Sequence, residues 1–327
     1  MKHVLITEPI HEAGLSLLRA RDDIKVIFAN DAGSDTLARI LPGMHGIAVR
    51  TAKLPADLLA LASELEVVSR HGVGCDNVDV AHLSARGIPV AITNGANSSS
   101  VAELTMAMAL TLARRLPEVD KAVRENNFGA RSRLLATDLE GATLLIVGFG
   151  RIGRKVASRA RAFDMDLIVS DILPYRGMAA KMGCRFVADF RTELSNADFI
   201  TLHVPYDDTT RYLISTAEFA AMKPGTVLIN AARGGVVDEE AMLVALDSGP
   251  LSSAGLDVFS VEPPPQDDPV FNQLLARDDV ILTPHTGAAS HGAMRSMAIM
   301  AAQNILDSFD GVLSPENTFN LKALQNP

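Results

Sequence analysis

The sequence predicts an α/β protein made of two doubly wound units whose sheets are mainly parallel. Strand-like and helix-like segments alternate from end to end of the 327 residues, as repeated βαβ units require. That length is sufficient for two domains, each with a core of its own. In mid-chain an unbroken apolar run, Leu144-Leu145-Ile146-Val147, leads straight into Gly148-Phe149-Gly150-Arg151-Ile152-Gly153. A strand so uniformly apolar is one buried on both faces.

In the first part, strands are expected at 3–7, 24–28, 46–50, 66–69 and 89–91, with helices near 10–20, 35–41, 55–62 and 80–86. No G-x-G-x-x-G follows the first strand, so this unit lacks a dinucleotide fingerprint of its own. Asn97-Ser98-Ser99-Ser100 then leads into a long apolar helix, and Ser100 with Glu103 has the S-x-x-E spacing of a capping box. The crossing between domains is placed here. In the second part, strands are expected at 143–147, 167–170, 199–203, 226–230, 253–257 and 280–283. The segment after the glycines carries Ile152, Val156, Ala157 and Ala160 at helical spacing. Pro263-Pro264-Pro265 marks a stiff loop. A final helix over 290–309 carries Met294, Met297, Ala298, Ala301, Ile305 and Phe309 on one stripe. That stripe reads as a packing or subunit face rather than an adaptable binding surface.

Composition narrows the function. The formal net charge of −9 leaves no basic excess to neutralise phosphates, so a nucleic-acid partner is not expected. No run reaches the ~18 apolar residues a membrane span needs. The N-terminus reads as a strand rather than a secretory signal. The two cysteines, Cys75 and Cys184, have no metal or redox spacing and read as reduced thiols of a cytoplasmic protein. No two of the eight histidines lie within five residues of each other, so no metal site is expected.

The glycine motif points to a dinucleotide. Gly148 permits a tight turn, Gly150 lets the backbone approach a pyrophosphate, and Gly153 lets helix and strand pack closely. The amides of the helix start face the anion. A second strand ends on Asp171, 18 residues beyond Gly153. A carboxylate there accepts bonds from ribose hydroxyls and repels an added phosphate, which favours NAD over NADP. Arg176 nearby leaves the strictness of that preference open, and the competing role for Asp171 is to cap its own loop.

Ligands of doubly wound sheets bind beyond the carboxyl ends of the strands. Those ends place Asp171, His203-Val204-Pro205, Asn230-Ala231-Ala232-Arg233-Gly234, Asp257 with Glu262, and Thr283-Pro284-His285-Thr286-Gly287 around one crevice. Oxidation of a hydroxy acid needs a base with a pKa near neutral, for which histidine is suited. Glu262 beside His285 would favour the imidazolium and hold one tautomer. Arg233 would grip a carboxylate with its forked donors. His3, His11, His45 and His82 read as surface or structural residues. His203 and His291 lack the Pro-before, Gly-after setting of His285.

These residues resemble the D-isomer-specific 2-hydroxyacid dehydrogenases across nearly the whole chain. The likeness runs through SRHGVGCDNVD from Ser69, GFGRIG, HVP at 203–205, NAARGGVVDE from Asn230, GLDVFSVEP from Gly255 and LTPHTG from Leu282. It implies a Rossmann NAD-binding domain over 99–289, inserted into a flavodoxin-like substrate domain formed by 1–98 and 290–327. It implies Arg233, Glu262 and His285 as the catalytic set, with Asp257 on the nicotinamide carboxamide. The cofactor-contacting residues expected are Gly148, Gly150, Arg151, Ile152, Gly153, Asp171, His203, Val204, Pro205, Thr209, Ala231, Ala232, Arg233, Asp257, His285 and Gly287. The amides of Gly72, Val73 and Gly74 would bind the substrate carboxylate, and the two lobes would close to expel water. A homodimer is expected by the same resemblance.

The substrate is narrowed less far. Arg50 and Arg70, both at strand ends of the first domain, resemble the phosphoglycerate dehydrogenase branch, where arginines near these positions meet a distal anion. A second anionic group on the substrate, as in phosphoglycerate or sulfolactate, is one reading. Glyoxylate or hydroxypyruvate reduction is the other. With the chain ending at 327, no regulatory domain and no allosteric behaviour are expected. Glu262 argues against formate dehydrogenase chemistry, where the related position is a glutamine. An NAD-sensing corepressor-like binding protein is the alternative from another functional class.

Overall fold

The computed structural model describes residues 1–325. The chain forms two compact units, Met1–Asn97 with the chain from Ala288 onward, and Ser98–Gly287.

The first unit is a five-stranded parallel sheet. Its strands are β1 (Lys2–Ile6), β2 (Ile24–Phe28), β3 (Gly46–Val49), β4 (Val67–Arg70) and β5 (Val90–Ile92), in spatial order β2-β1-β3-β4-β5. This is the flavodoxin-like order. Alternate residues of β1 serve opposite faces. Val4 and Ile6 pack with Leu15, Leu18, Ala298 and Ile305, whereas Leu5 packs with Leu37, Ile47 and Val68. A parallel sheet covered on both faces needs such two-sided apolarity. The last helix, His291–Phe309, covers one face, and Met297, Ala298, Ala301 and Ile305 are buried there. It passes the helix Glu12–Arg19 so closely that a Cβ on Gly14 would lie 2.3 Å from the Ala298 carbonyl oxygen.

The second unit is a seven-stranded parallel sheet: β6 (Thr143–Val147), β7 (Asp166–Ser170), β8 (Arg185–Val187), β9 (Phe199–Leu202), β10 (Thr226–Asn230), β11 (Leu251–Leu256) and β12 (Val280–Leu282). The spatial order is β12-β11-β10-β9-β6-β7-β8. The order reverses between β6 and β9, which pair directly. In an open sheet that reversal opens the ligand crevice. Leu144 and Ile146 face one core while Leu145 and Val147 face the other.

Three local expectations need correction. The long helix begins at Ser98, so Ser100 lies inside its first turn, and Glu103 instead bonds Arg159 at 2.8 Å. A complete capping box forms elsewhere, from Ser215 and Glu218. Strand β8 was not expected, because a three-residue edge strand bounded by Cys184 and Ala188 is too short for periodicity to register. The ends of several strands differ by one or two residues from the sequence reading, the usual uncertainty at frayed ends.

Candidate active site

The glycine turn is set by two close approaches. Gly148 has φ +96, and a Cβ there would lie 2.4 Å from the His203 carbonyl oxygen, on the neighbouring strand end. A Cβ on Gly153 would lie 2.1 Å from the Gly148 carbonyl oxygen. Gly150 is different: nothing lies within 4 Å of its Cβ position. It is also the N-cap of the helix Arg151–Arg161 and supplies no side-chain cap to the first-turn amides. Arg151 is exposed and Ile152 half-buried at that helix start. An open approach and amides uncapped by the N-cap side chain make a cradle for a dinucleotide pyrophosphate.

Asp171 joins this turn to the end of β7. Its carboxylate accepts from the Phe149 amide at 2.7 Å and from the Leu173 amide at 2.8 Å. It therefore braces the loop, and each oxygen keeps a second lone-pair direction for a ribose hydroxyl. His203 stands behind the turn. Its amide bonds the Val147 carbonyl at 2.7 Å, its Nε2 lies 3.0 Å from Thr201 Oγ1, and burial pushes its pKa down to about 3. The ring is thus neutral, and its contribution to the turn is the carbonyl against Gly148. Val204 lies against the same glycine. Pro205 accepts from Thr210 Oγ1, and exposed Thr209 bonds Asp207. Ala231 and Ala232 are buried just past β10.

At the ends of β11 and β12 the unit holds a carboxylate–imidazole pair. His285 Nδ1 lies 2.6 Å from Glu262 Oε2. Burial alone would raise the Glu262 pKa, but the bonds from His285 and the Phe259 amide leave it lowered, with Arg233 contributing charge. An ionised carboxylate can only accept, so Nδ1 carries a proton, and in the neutral form of the ring Nε2 presents the lone pair. The side chain of His285 remains 49% exposed, which leaves that nitrogen reachable.

The backbone of His285 is left-handed, φ +52, an unfavourable state for a residue with a Cβ. Two bonds from its amide, to the carbonyls of Asp257 and Thr283, hold it there. Asp257, only 1% exposed, completes the clamp. One of its oxygens accepts from Thr283 Oγ1 at 2.6 Å and the Thr286 amide at 2.7 Å, the other from the Gly287 amide at 2.8 Å. In the structure Asp257 is thus first of all the brace of the segment carrying His285. From sequence, Thr283 and Thr286 stand at the crevice with no role of their own, since that role depends on a contact with a residue far away in the chain.

The loop carrying Glu262 is held in a similar way. The Ser260 amide bonds Glu239 at 2.8 Å, and a Cβ on Gly234 would lie 1.7 Å from the Phe259 carbonyl oxygen. That contact sets the chain beside Arg233 against the loop of Glu262. The Arg233 guanidinium bonds the Ala232 carbonyl at 2.7 Å, and the Asn230 side-chain amide bonds the Arg233 carbonyl. Beside the imidazole–carboxylate pair lies a largely apolar cavity of about 360 Å³, walled by Phe259, Phe271, Leu282 and Pro264.

The first unit gathers the other expected residues. Arg70 donates to Asn77 Oδ1 at 3.2 Å and to the His71 carbonyl at 2.7 Å, and its guanidinium lies over Gly72. Val73 and Gly74 follow on the same half-buried loop. Arg50 bonds the Pro9 carbonyl at 3.3 Å. Cys75 and Cys184 are both buried thiols. Among the described residues there is no cluster of metal-ligating side chains, and no helix is long and apolar enough to cross a membrane.

The chain resembles known proteins over most of its length. Residues 106–287 match the family model of the D-isomer specific 2-hydroxyacid dehydrogenase NAD binding domain. The chain is 35% identical over 323 residues to a D-3-phosphoglycerate dehydrogenase of Archaeoglobus fulgidus, covering 98% of this chain but 60% of that relative's length. It is 36% identical over 304 residues to a hydroxypyruvate reductase of Thermotoga maritima, covering 92% of this chain and 96% of that one. The structure of a D-lactate dehydrogenase from Aquifex aeolicus, complexed with NAD and lactic acid, superposes with a TM-score of 0.87 at 29% identity, covering 98% of this chain and 99% of that chain. With its two parallel sheets, glycine turn and clamped histidine, the chain belongs to the D-isomer specific 2-hydroxyacid dehydrogenase family, and residues 106–287 are its NAD-binding domain.

Proposed function

We propose that the protein is an NAD-dependent oxidoreductase that interconverts a D-2-hydroxy acid and its 2-oxo acid. The observation that carries this is the 2.6 Å pairing of His285 with an ionised Glu262 on a clamped, left-handed backbone. NAD, when bound at the glycine turn, supplies the hydride acceptor. In the oxidative direction His285 Nε2 takes the hydroxyl proton, and Glu262 stabilises the imidazolium so formed. In reduction the same nitrogen returns the proton to the carbonyl oxygen. Arg233 orients the substrate carboxylate and polarises that oxygen. The amides of Gly72, Val73 and Gly74 also bind the carboxylate. Asp257 holds the histidine segment and contacts the nicotinamide carboxamide. Asp171 selects NAD over NADP.

For the substrate, we infer a 2-hydroxy acid with a second anionic group, met by Arg50. Of the two arginines, Arg70 is committed to Asn77 and the His71 carbonyl, whereas the Arg50 guanidinium makes a long bond, 3.3 Å, to the Pro9 carbonyl. Hydroxypyruvate or glyoxylate reduction is the second reading, favoured by the match to nearly the full length of the Thermotoga maritima hydroxypyruvate reductase. The deciding experiment follows NADH oxidation with phosphohydroxypyruvate, hydroxypyruvate and glyoxylate. A higher kcat/KM for the phosphorylated acid supports the first reading. If NADH binds but none of a broad panel of 2-oxo acids is reduced, the protein is a nucleotide sensor instead.

A further inference from the structure

At the end of β1, Glu8 turns its carboxylate onto the loop that follows β3. It accepts from three successive amides, Arg50 at 2.9 Å, Thr51 at 2.6 Å and Ala52 at 3.0 Å. The hydroxyls of Thr7, at 2.6 Å, and Thr51 complete its shell. Burial would raise the Glu8 pKa, but these donors hold it below the ordinary value, so it is ionised at neutral pH. A carboxylate filling a nest of consecutive amides fixes the conformation of the loop that makes the nest. The next residue, Pro9, accepts from the Arg50 guanidinium. The end of β1 therefore grips Arg50 by both its backbone and its side chain.

Asn77 extends this frame to the second arginine. Its Nδ2 donates to the Ala52 carbonyl at 2.7 Å and to the Arg50 carbonyl at 3.4 Å. Its Oδ1 accepts from Arg70 Nε at 3.2 Å. Arg70 in turn donates to the His71 carbonyl, at the entry to Gly72. One amide side chain thus connects the Arg50 loop, held by Glu8, to the guanidinium that lies over the glycine loop.

We propose that Glu8 and Asn77 are positioning residues that hold the Arg50 loop so that Arg50 can take a second anionic group on the substrate. This rests on the second-anion reading above. Neither residue need touch the substrate. A loop tied at both ends pre-organises its arginine, so binding an anion costs less ordering. The discrimination belongs to the binding of the distal group rather than to the transfer of hydride, so it appears in KM.

The test compares phosphohydroxypyruvate with glyoxylate. In Asn77→Ala, KM for phosphohydroxypyruvate rises about tenfold with kcat within about twofold, while KM for glyoxylate moves less than about threefold. In an Arg50→Ala background the same substitution adds little to KM for phosphohydroxypyruvate, because the pair acts through one group. Should Asn77→Ala not fold, Asn77→Asp keeps the acceptor for Arg70 and loses the donor to Ala52. Glu8→Gln replaces one acceptor with a donor at nearly constant size. Each is expected to show the same substrate-selective rise in KM. Equal KM changes on both substrates, or full additivity with Arg50→Ala, would mean only general loosening and would overturn the proposal. If Arg50→Ala raises KM for phosphohydroxypyruvate but Asn77→Ala and Glu8→Gln do not, this inference alone falls. If wild type does not reduce phosphohydroxypyruvate, or Arg50→Ala leaves its KM unchanged, the second-anion reading falls and takes this inference with it.

Discussion

Both units present a glycine loop just past the ends of parallel strands, yet the two loops are occupied in opposite ways. At Gly148–Gly153 the space around Gly148 and Gly153 is filled by backbone, while the face of Gly150 is open. At Gly72 the protein's own Arg70 guanidinium lies over the loop, and Glu8 fills the neighbouring nest of amides. The first arrangement leaves helix-start amides for a large anionic ligand. The second builds in charge, one carboxylate taken up by amides beside two arginines. Similar topology therefore presents different surfaces, according to which side chains occupy the space above the strand ends.

The largest effect should come from the proposed acid/base pair, His285 and Glu262, rather than from either loop. His285→Ala is expected to lower kcat by about 10²–10⁴ and leave NADH affinity, read by fluorescence titration, nearly unchanged. A variant retaining the wild-type rate would remove His285 as the acid/base.

Within the glycine turn, Gly150 and Gly153 should separate cofactor binding from folding. Gly150→Ala adds a Cβ into open space, so stability stays within about 0.5 kcal/mol while the Kd for NADH rises about tenfold. Gly153→Ala drives a Cβ against backbone and should cost about 1–3 kcal/mol or more of stability, read by urea denaturation. Similar behaviour of the two variants would contradict the division of labour described above.

Asp171→Ala is expected to reduce the ratio of kcat/KM for NAD over NADP by about tenfold. Because the carboxylate also braces the Phe149 amide, a modest drop in Tm should accompany it. A Tm change with no change in the ratio would leave Asp171 only its bracing role.

A pH effect should come from two buried histidines, one in each unit. Burial, with Arg50 and Arg70 adding to it, pushes His71 down to about 4, and burial pushes His203 down to about 3, from an ordinary value of 6.5. Between those values the unfolded chain binds more protons than the folded one. Stability therefore falls as pH drops below about 6.5, and this contribution levels off below the folded pKa values. Urea midpoints measured from about pH 7 to about pH 4.5 should show the fall. His71→Gln should make it shallower, and an unchanged slope would remove His71 from the account.

The sheets were legible in the sequence because parallel strands covered on both faces are uninterrupted apolar runs, as at 143–147 and 226–230. Strand β8 was not, since three residues carry no readable period. The spacing of Ser100 and Glu103 misled for a related reason. A capping box is a local pattern, and the helix start was decided by where the chain enters the second unit. The family and the residue types of the candidate site were readable from motifs whose glycines, arginine and histidine are contiguous in sequence. Asn77, Thr283 and Glu239 lie within those motifs, but nothing local shows what they bond, and Glu8 lies outside them.

By itself, the sequence determined the alternation of strand and helix, the nucleotide class at the glycine turn and the kinds of group available for proton transfer. These follow from periodicity, backbone freedom and side-chain chemistry, which act over a few residues. Only the tertiary structure decided which groups meet. Ser260 bonds Glu239 across 21 residues, Asp257 bonds Thr286 across 29, and Glu8 bonds Arg50 across 42. Such pairings depend on the order in which parallel strands assemble, because neighbouring strand ends can come from distant stretches of the chain.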